Sequence, residues 1–280
     1  MPWLPRLVHP PLAAVTALIF FLMLKPERGA VARNLRRVSG RRGWALYWKV
    51  YLVFYSFCDL MVSYCYVPQA SHAQLLDMLT VKDRGAATID QCLEAGNGLI
   101  VWTAHLGNPE FASRLLEMHG RPVNVARVVE DKPAEKLLRD RMATERLRIV
   151  DLKDGPRATI ELLQALRRNE IVAIQGDRVY HPRHGAEVPF FPHPATFPLG
   201  PFLLSQVSGA PVLPGFVIRQ GWLRYRVLMG DPILPVASGD GDASQRAGLR
   251  QAVRFLETTL RVHYDQWVNF FDIWPVNSHD

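Results

Sequence analysis

The sequence predicts an α/β protein: a mixed, largely parallel sheet flanked by helices, with an N-terminal membrane helix in front of it. Three observations carry this. Past about residue 95, short β-branched runs alternate with helical patterns, the rhythm of strand-helix-strand units. The strand runs are apolar throughout, as in strands buried on both faces. The stretch "PPLAAVTALIFFLML" from Pro10 to Leu24 carries no charge.

Taken in order, that apolar stretch together with Leu7 to His9 reaches the ~17-residue lower limit of a membrane span. Only Arg6 precedes it, whereas Lys25, Arg28, Arg33, Arg36, Arg37, Arg41 and Arg42 come after. This asymmetry places the remainder of the chain on the cytoplasmic side of the membrane. The charged "KPER" argues against a cleaved signal. Residues 44–67, apolar but broken by Lys49, Asp59 and many aromatics, read as an amphipathic helix at a bilayer surface or on the core. The expected organisation is therefore an anchor over 1–27, a basic amphipathic helical region over 28–94 and a catalytic domain over 95–280. In that domain strands are expected at 98–103, 123–127, 147–151, 171–175, 210–218 and 223–230. Helices are expected at 109–119, 133–146, 157–168, 198–208 and 244–266, with a flexible loop at 237–244.

Composition narrows the function classes. The chain has 280 residues, 49% hydrophobic and 21% charged, which is globular rather than disordered. Its net charge of +7 suits an anionic partner such as a membrane surface, an acidic protein or a nucleic acid. Nucleic acid is disfavoured, because the basic residues adjoin the membrane segment and no reading module is present. Cys58, Cys65 and Cys92 are odd in number and lack metal-ligand spacing, so they read as thiols in a reducing compartment with no metal site.

The chemistry-bearing stretch is "TAHLGNPE" (103–110). His105 falls just past a buried strand, at the sheet edge where ligands bind. Asn108 then Pro109 make an N-cap and a first helical turn. Glu110, in that turn, is placed either to fix the tautomer of His105 or to complement the helix dipole. A second edge position comes after the strand "IVAIQ", where Asp177 and Arg178 either take part in the site or simply cap and pair at a turn. Neither a nucleophile elbow nor a phosphate-binding glycine loop occurs.

These pieces together resemble the bacterial lipid A lauroyl/myristoyl acyltransferase family, within the glycerolipid acyltransferase-like superfamily. The matching stretches are "RGAVARNLRRV", "HLGNPE" for an H-x4-E motif, "ALRRNEIVAIQGD", "EVPFFPHPATFPLGPFLL" and "DQWVNFFDIW". The resemblance implies that His105 is a general base with Glu110 as its partner and Asp177 as a further acid. It also implies an arginine about thirty residues earlier, best matched by Arg146, with Arg148 and Arg127 as competitors. Substrate contacts are expected from Asn108, Arg127, Arg148 and Arg178, and an acyl channel from Phe190, Phe191, Phe197 and Leu199. The implied reaction moves an acyl chain from a thioester, acyl carrier protein or coenzyme A, to a lipid hydroxyl without a metal or other cofactor. Partners would be acyl carrier protein and a membrane lipid acceptor. Arg178 and Val179 stand where lipid A-acting members commonly carry a second acidic residue. This points to a divergent branch acting on another glycolipid or an aryl-polyene-type lipid. Lysophospholipid acylation, a thioesterase or lipase activity, and an inactive lipid-binding protein remain open.

Overall fold

A computed structural model describes residues 8–81, 85–129, 144–179, 185–235 and 241–274. Six strands form one sheet: β1 (Leu99–Thr103), β2 (Val123–Arg127), β3 (Leu147–Asp151), β4 (Ile171–Gln175), β7 (Val212–Gly221) and β8 (Arg224–Met229), in the order β3-β2-β4-β1-β7-β8. All neighbours are parallel except the antiparallel pair β7–β8. The expected mixed, largely parallel sheet is therefore present, and its strand positions match those read from the sequence.

Side chains along β1 and β4 alternate between two cores, as the period of a strand requires. Ile100, Trp102, Val172 and Ile174 enter the larger core, which is shared with the N-terminal helices α1 (His9–Met23), α2 (Lys25–Ser39) and α3 (Gly43–Ser63). It is also shared with α7 (Pro156–Arg167), α8 (Gly200–Ser208) and α9 (Gly241–His263). Leu99, Val101, Ile171 and Ala173 enter the opposite core beside α5 (Gly85–Glu94) and α6 (Pro109–Leu116). A short helix, α4 (His72–Asp77), is closed by a capping box between Ser71 and Gln74.

One element is absent from the expected strands, and one expectation is corrected. The stretch 185–198 is a hairpin, β5 (Gly185–Phe190) with β6 (His193–Pro198), turning where Phe191 adopts a positive φ of 55°. Its prolines hide the strand pattern, yet a two-stranded ribbon consists only of edges and tolerates them. Of the flexible loop expected at 237–244, residues 241–244 open α9 instead, and residues 237–240 lie outside the described residues. Most of the helix expected over 133–146 lies outside the described residues, and residues 144–146 lead into β3.

The N-terminal helices also differ in detail from the expectation. α1 has 15 residues; this is about 22 Å at ~1.5 Å per residue, shorter than the ~30 Å hydrocarbon core. It meets α2 at a 97° bend. Ala13 and Ala17 face the core, while Leu12, Val15, Leu18, Ile19, Leu22 and Met23 are exposed. Among the described residues one helix is long and apolar enough to cross a membrane, Gly43–Gln69, and half of its apolar stretch is buried in the protein.

Candidate active site

The register of β1 and β4 builds the centre of the site. Thr103 pairs with Gln175, so His105 and Asp177, each two residues further on, emerge side by side at the carboxyl edge of the sheet. Two glycines let the chain turn there. A Cβ on Gly176 would lie 1.9 Å from the Trp102 indole nitrogen, and one on Gly107 would lie 1.8 Å from the Val217 carbonyl oxygen. Gly107 also needs its positive φ of 68°.

Asp177 is fully buried and saturated with donors. Its Oδ1 accepts from His105 Nδ1 at 2.8 Å and its Oδ2 from the Trp267 indole at 2.9 Å. The His105 backbone N–H reaches both oxygens, at 3.2 and 3.1 Å. A carboxylate only accepts, so Nδ1 carries the proton and Nε2 is left as the basic nitrogen. The ring is 26% exposed and lines a cleft.

Burial disfavours charge on both groups. For His105 that effect is outweighed by the charge and hydrogen bond of Asp177, with a smaller contribution from Glu110 opposing Arg178, so its pKa sits above the ordinary imidazole value. Burial likewise pushes Asp177 up, but His105, Trp267 and the backbone N–H bonds hold it below the ordinary carboxylate value. The pair is an imidazole of raised basicity held by a fixed anion, the arrangement a general base requires.

A second polar cluster adjoins the dyad. Tyr64, at the end of α3, donates its hydroxyl to Glu110 Oε1 and is itself bonded by Arg127. Burial, followed by the Glu110 charge, pushes the tyrosine far up, so it stays a donor. Among the described residues, Glu110 Oε2 is buried without a hydrogen-bond partner.

The cleft, about 300 Å³, is lined by His105, Glu110, Arg127, Gln175, Arg178 and Phe271, among others. A larger and mostly apolar cavity of about 590 Å³ lies between the sheet and helices α5 and α6. Its walls include Ile89, Val101, Ala112, Leu115, Val125 and Met229. Pro109, Glu110, Arg127 and Gln175 line both spaces, so the polar cleft and the apolar cavity share a wall.

The chain matches the family described as bacterial lipid A biosynthesis acyltransferase over residues 3–274. It belongs to that family. Among curated proteins it is similar to phosphatidylinositol mannoside acyltransferase of Mycobacterium tuberculosis, in strains CDC 1551 / Oshkosh and ATCC 25618 / H37Rv. Each is 30% identical over 205 residues, covering 72% of this chain and 62% of the relative's length. The matched stretch thus spans less than two thirds of those mycobacterial proteins.

Within this chain, the residues expected to act together separate into distinct places. His105 and Asp177 meet directly, whereas Glu110 bonds Tyr64 and makes no hydrogen bond to His105. The strand register supplies Asp177 as the nearer partner. Arg146 precedes β3 and Arg148 is its second residue, so both lie at the amino edge of the sheet, exposed and away from the dyad. Of the three competing arginines, Arg127, the last residue of β2, is the one that reaches the cleft. Arg178 also lines the cleft, its guanidinium 4.5 Å from the Phe271 ring centroid. Asn108 caps α6 through Phe111 and donates to Ser63 and Tyr225, which occupies it structurally. The expected aromatic channel is core instead. Phe190 and Phe197 are wholly buried, Phe190 stacks on Trp274, and Phe191 and Leu199 pack against the same cluster. Tyr64 and the cavity walls on α5 carry no sequence signal of a site; no spacing rule connects either to the histidine. Trp267 lies in one of the stretches that carry the family resemblance, but nothing in that stretch names its partner.

Proposed function

We propose that this protein is a membrane-associated O-acyltransferase that moves a fatty acyl chain from a thioester of acyl carrier protein or coenzyme A to a hydroxyl of a glycolipid acceptor. The observation that carries the reading is the His105–Asp177 dyad in a cleft that shares its wall with an apolar cavity. A thioester donor needs no enzyme nucleophile. It needs an acceptor O–H deprotonated in place and a cationic environment for the developing oxyanion.

In this reading His105 Nε2 takes the hydroxyl proton as the acceptor oxygen forms its bond to the thioester carbonyl carbon. Collapse of the tetrahedral intermediate breaks the C–S bond, and the imidazolium returns the proton to the departing thiolate. Arg127 and Arg178 face the oxyanion or an acceptor phosphate. The open Oε2 of Glu110 accepts from a substrate hydroxyl or amide. The apolar cavity takes the acyl chain, whose burial contributes about 0.8 kcal/mol per CH₂.

The membrane supplies the acceptor. The exposed apolar side chains of α1, with Trp44 and Trp48 at the start of α3, suit insertion into one leaflet beside the arginines of α2. Anionic lipids attract such a basic segment. Thioester donors are cytoplasmic, which favours the cytoplasmic face of an inner membrane. The two relatives named for a mannoside lipid, with the missing second acid after Asp177, favour a glycolipid other than lipid A as acceptor.

The test is lipid mass spectrometry of host cells lacking the gene, complemented by wild type, His105→Ala or Asp177→Asn. Loss of one acyl mass from one glycolipid, restored by wild type alone, supports the reading and names the acceptor. Loss from a lysophosphatidic acid product instead makes the protein a lysophospholipid acyltransferase. Restoration by both variants sinks the dyad.

A further inference from the structure

Two segments with dense polar contacts take no part in that chemistry, the arginine-rich helix α2 and the irregular C-terminal strap at 264–274. They are bonded to each other. Asn34, buried on α2, donates its amide to the Phe271 carbonyl at 2.8 Å and accepts from the Ile273 N–H at 3.2 Å. The neighbouring Arg33 forks onto Asp272 with N–O distances of 2.7 and 2.8 Å. One turn on, the Arg37 guanidinium lies 5.5 Å from the Trp274 ring centroid.

The other end of the strap grips the dyad. Val268 N–H donates to the His105 carbonyl at 2.7 Å, and the Gln266 carbonyl accepts from Gly107 N–H at 3.1 Å. Trp267 fills the remaining oxygen of Asp177 at 2.9 Å. The strap thus touches the backbone of the base and the side chain of its anion at once. Beyond its first turn it has no strand ladder to hold it straight. Past the backbone pairing of 266–268 with 105–107, its order comes from side chains, and Asn34 reads the strap backbone on both sides as a strand neighbour would.

From these contacts we infer that Asn34 and Arg33 are positioning residues, which hold the strap so that Trp267 and Val268 fix His105 against Asp177. The inference rests on the reading of His105 as the base. Releasing the clamp loosens the strap between Trp267 and Trp274, whose indole stays bonded to the His193 carbonyl at 3.0 Å, admits water to a carboxylate now fully enclosed, and lets the imidazole wander from its attack geometry. Misplacement by about 1 Å can cost ~10²-fold in rate. A helix that merely stabilised the fold would leave the titration of the base alone.

The test uses the purified full chain, radiolabelled lauroyl-acyl carrier protein and lauroyl-coenzyme A as donors, and total host lipid as acceptor. Variants are Asn34→Ala, Asp272→Asn, Trp267→Phe and His105→Ala. For Asn34→Ala the expected result is a kcat lower by about 10–100-fold with the donor KM little changed. The acid limb of its pH profile should also move down, since solvating the dyad relaxes His105 toward an ordinary imidazole. Trp267→Phe should reproduce that limb shift, and Asp272→Asn should show it in weaker form with wild-type folding. If Asn34→Ala does not fold, Asp272→Asn alone decides. Wild-type kcat and an unmoved limb in the clamp variants, with His105→Ala inactive, would overturn this inference and leave the dyad intact. An active His105→Ala would instead overturn the base assignment itself.

Discussion

Strand β4 is flanked by two buried carboxylates, and they make opposite uses of the same physics. Glu170, just before the strand, accepts from Arg168 at 2.7 Å and from Asn124 at 2.9 Å. Asp177, just after it, accepts from His105 and Trp267. Burial pushes both up, and in both cases the donors win and hold the group ionised. The difference lies in the partner. Arg168 keeps its charge at every accessible pH, so its pair can only hold the sheet edge together. His105 can exchange a proton, and its ring lines a cleft beside an apolar cavity. Burial and pairing alone therefore do not mark a site; a titratable partner with an open nitrogen does.

The sharpest way to break this contrast is to neutralise each carboxylate. Asp177→Asn, like His105→Ala, is expected to lower acyl transfer by about 10²–10⁴-fold with a preserved far-UV spectrum. Glu170→Gln is expected to leave the rate within about twofold and to cost roughly 1–3 kcal/mol in denaturant melts. Equal loss of activity in both would erase the distinction.

The arginines at the two sheet edges give the next effect. Arg127→Ala should slow transfer by about 10²-fold, as for loss of one oxyanion donor, whereas Arg146→Ala and Arg148→Ala should be silent in the same initial-rate assay. Filling the cavity comes third. Ala112→Phe should cost a factor of about 4 for each CH₂ it displaces, on the 0.8 kcal/mol scale. Long-chain thioesters should therefore lose ground to short ones in a competition assay. Smallest is Tyr64→Phe, which leaves both oxygens of Glu110 without a side-chain donor. A fall of about 10-fold in kcat/KM is expected, near the lower end of the ~1.5–3 kcal/mol of a bond to a charged group.

Much of this fold is legible because strands buried on both faces declare themselves as short apolar runs, and six of them stand where the sequence puts them. His105 and Asp177 are legible as edge residues for the same reason. Their mutual contact is not. Strand order decides it, and nothing local in "IVAIQGD" says that β4 lies beside β1. Glu110 is the natural partner by spacing, yet the first turn of α6 presents it to Tyr64, a residue supplied by a helix 46 positions upstream. Phe190 and Phe191 mislead in the opposite sense. Large aromatics beside prolines resemble a channel lining, but the hairpin they close folds them into the core. The apolar cavity escapes a reading of the sequence because its walls are ordinary core residues spread over two helices and several strands, distinguishable from packed ones only by the space left between them.

The most direct measurement is the imidazole titration of His105 by heteronuclear NMR, assigned by its absence in His105→Ala, in wild type, Asp177→Asn and Glu110→Gln. The wild-type pKa is expected above the ordinary value of about 6.5. Transfer is then lost as pH falls through that raised value, because the protonated ring cannot accept the hydroxyl proton. Asp177→Asn should bring the titration down clearly and Glu110→Gln only slightly. A titration unmoved by Asp177→Asn, or moved more by Glu110→Gln, would contradict the claim that Asp177 is the partner of the base.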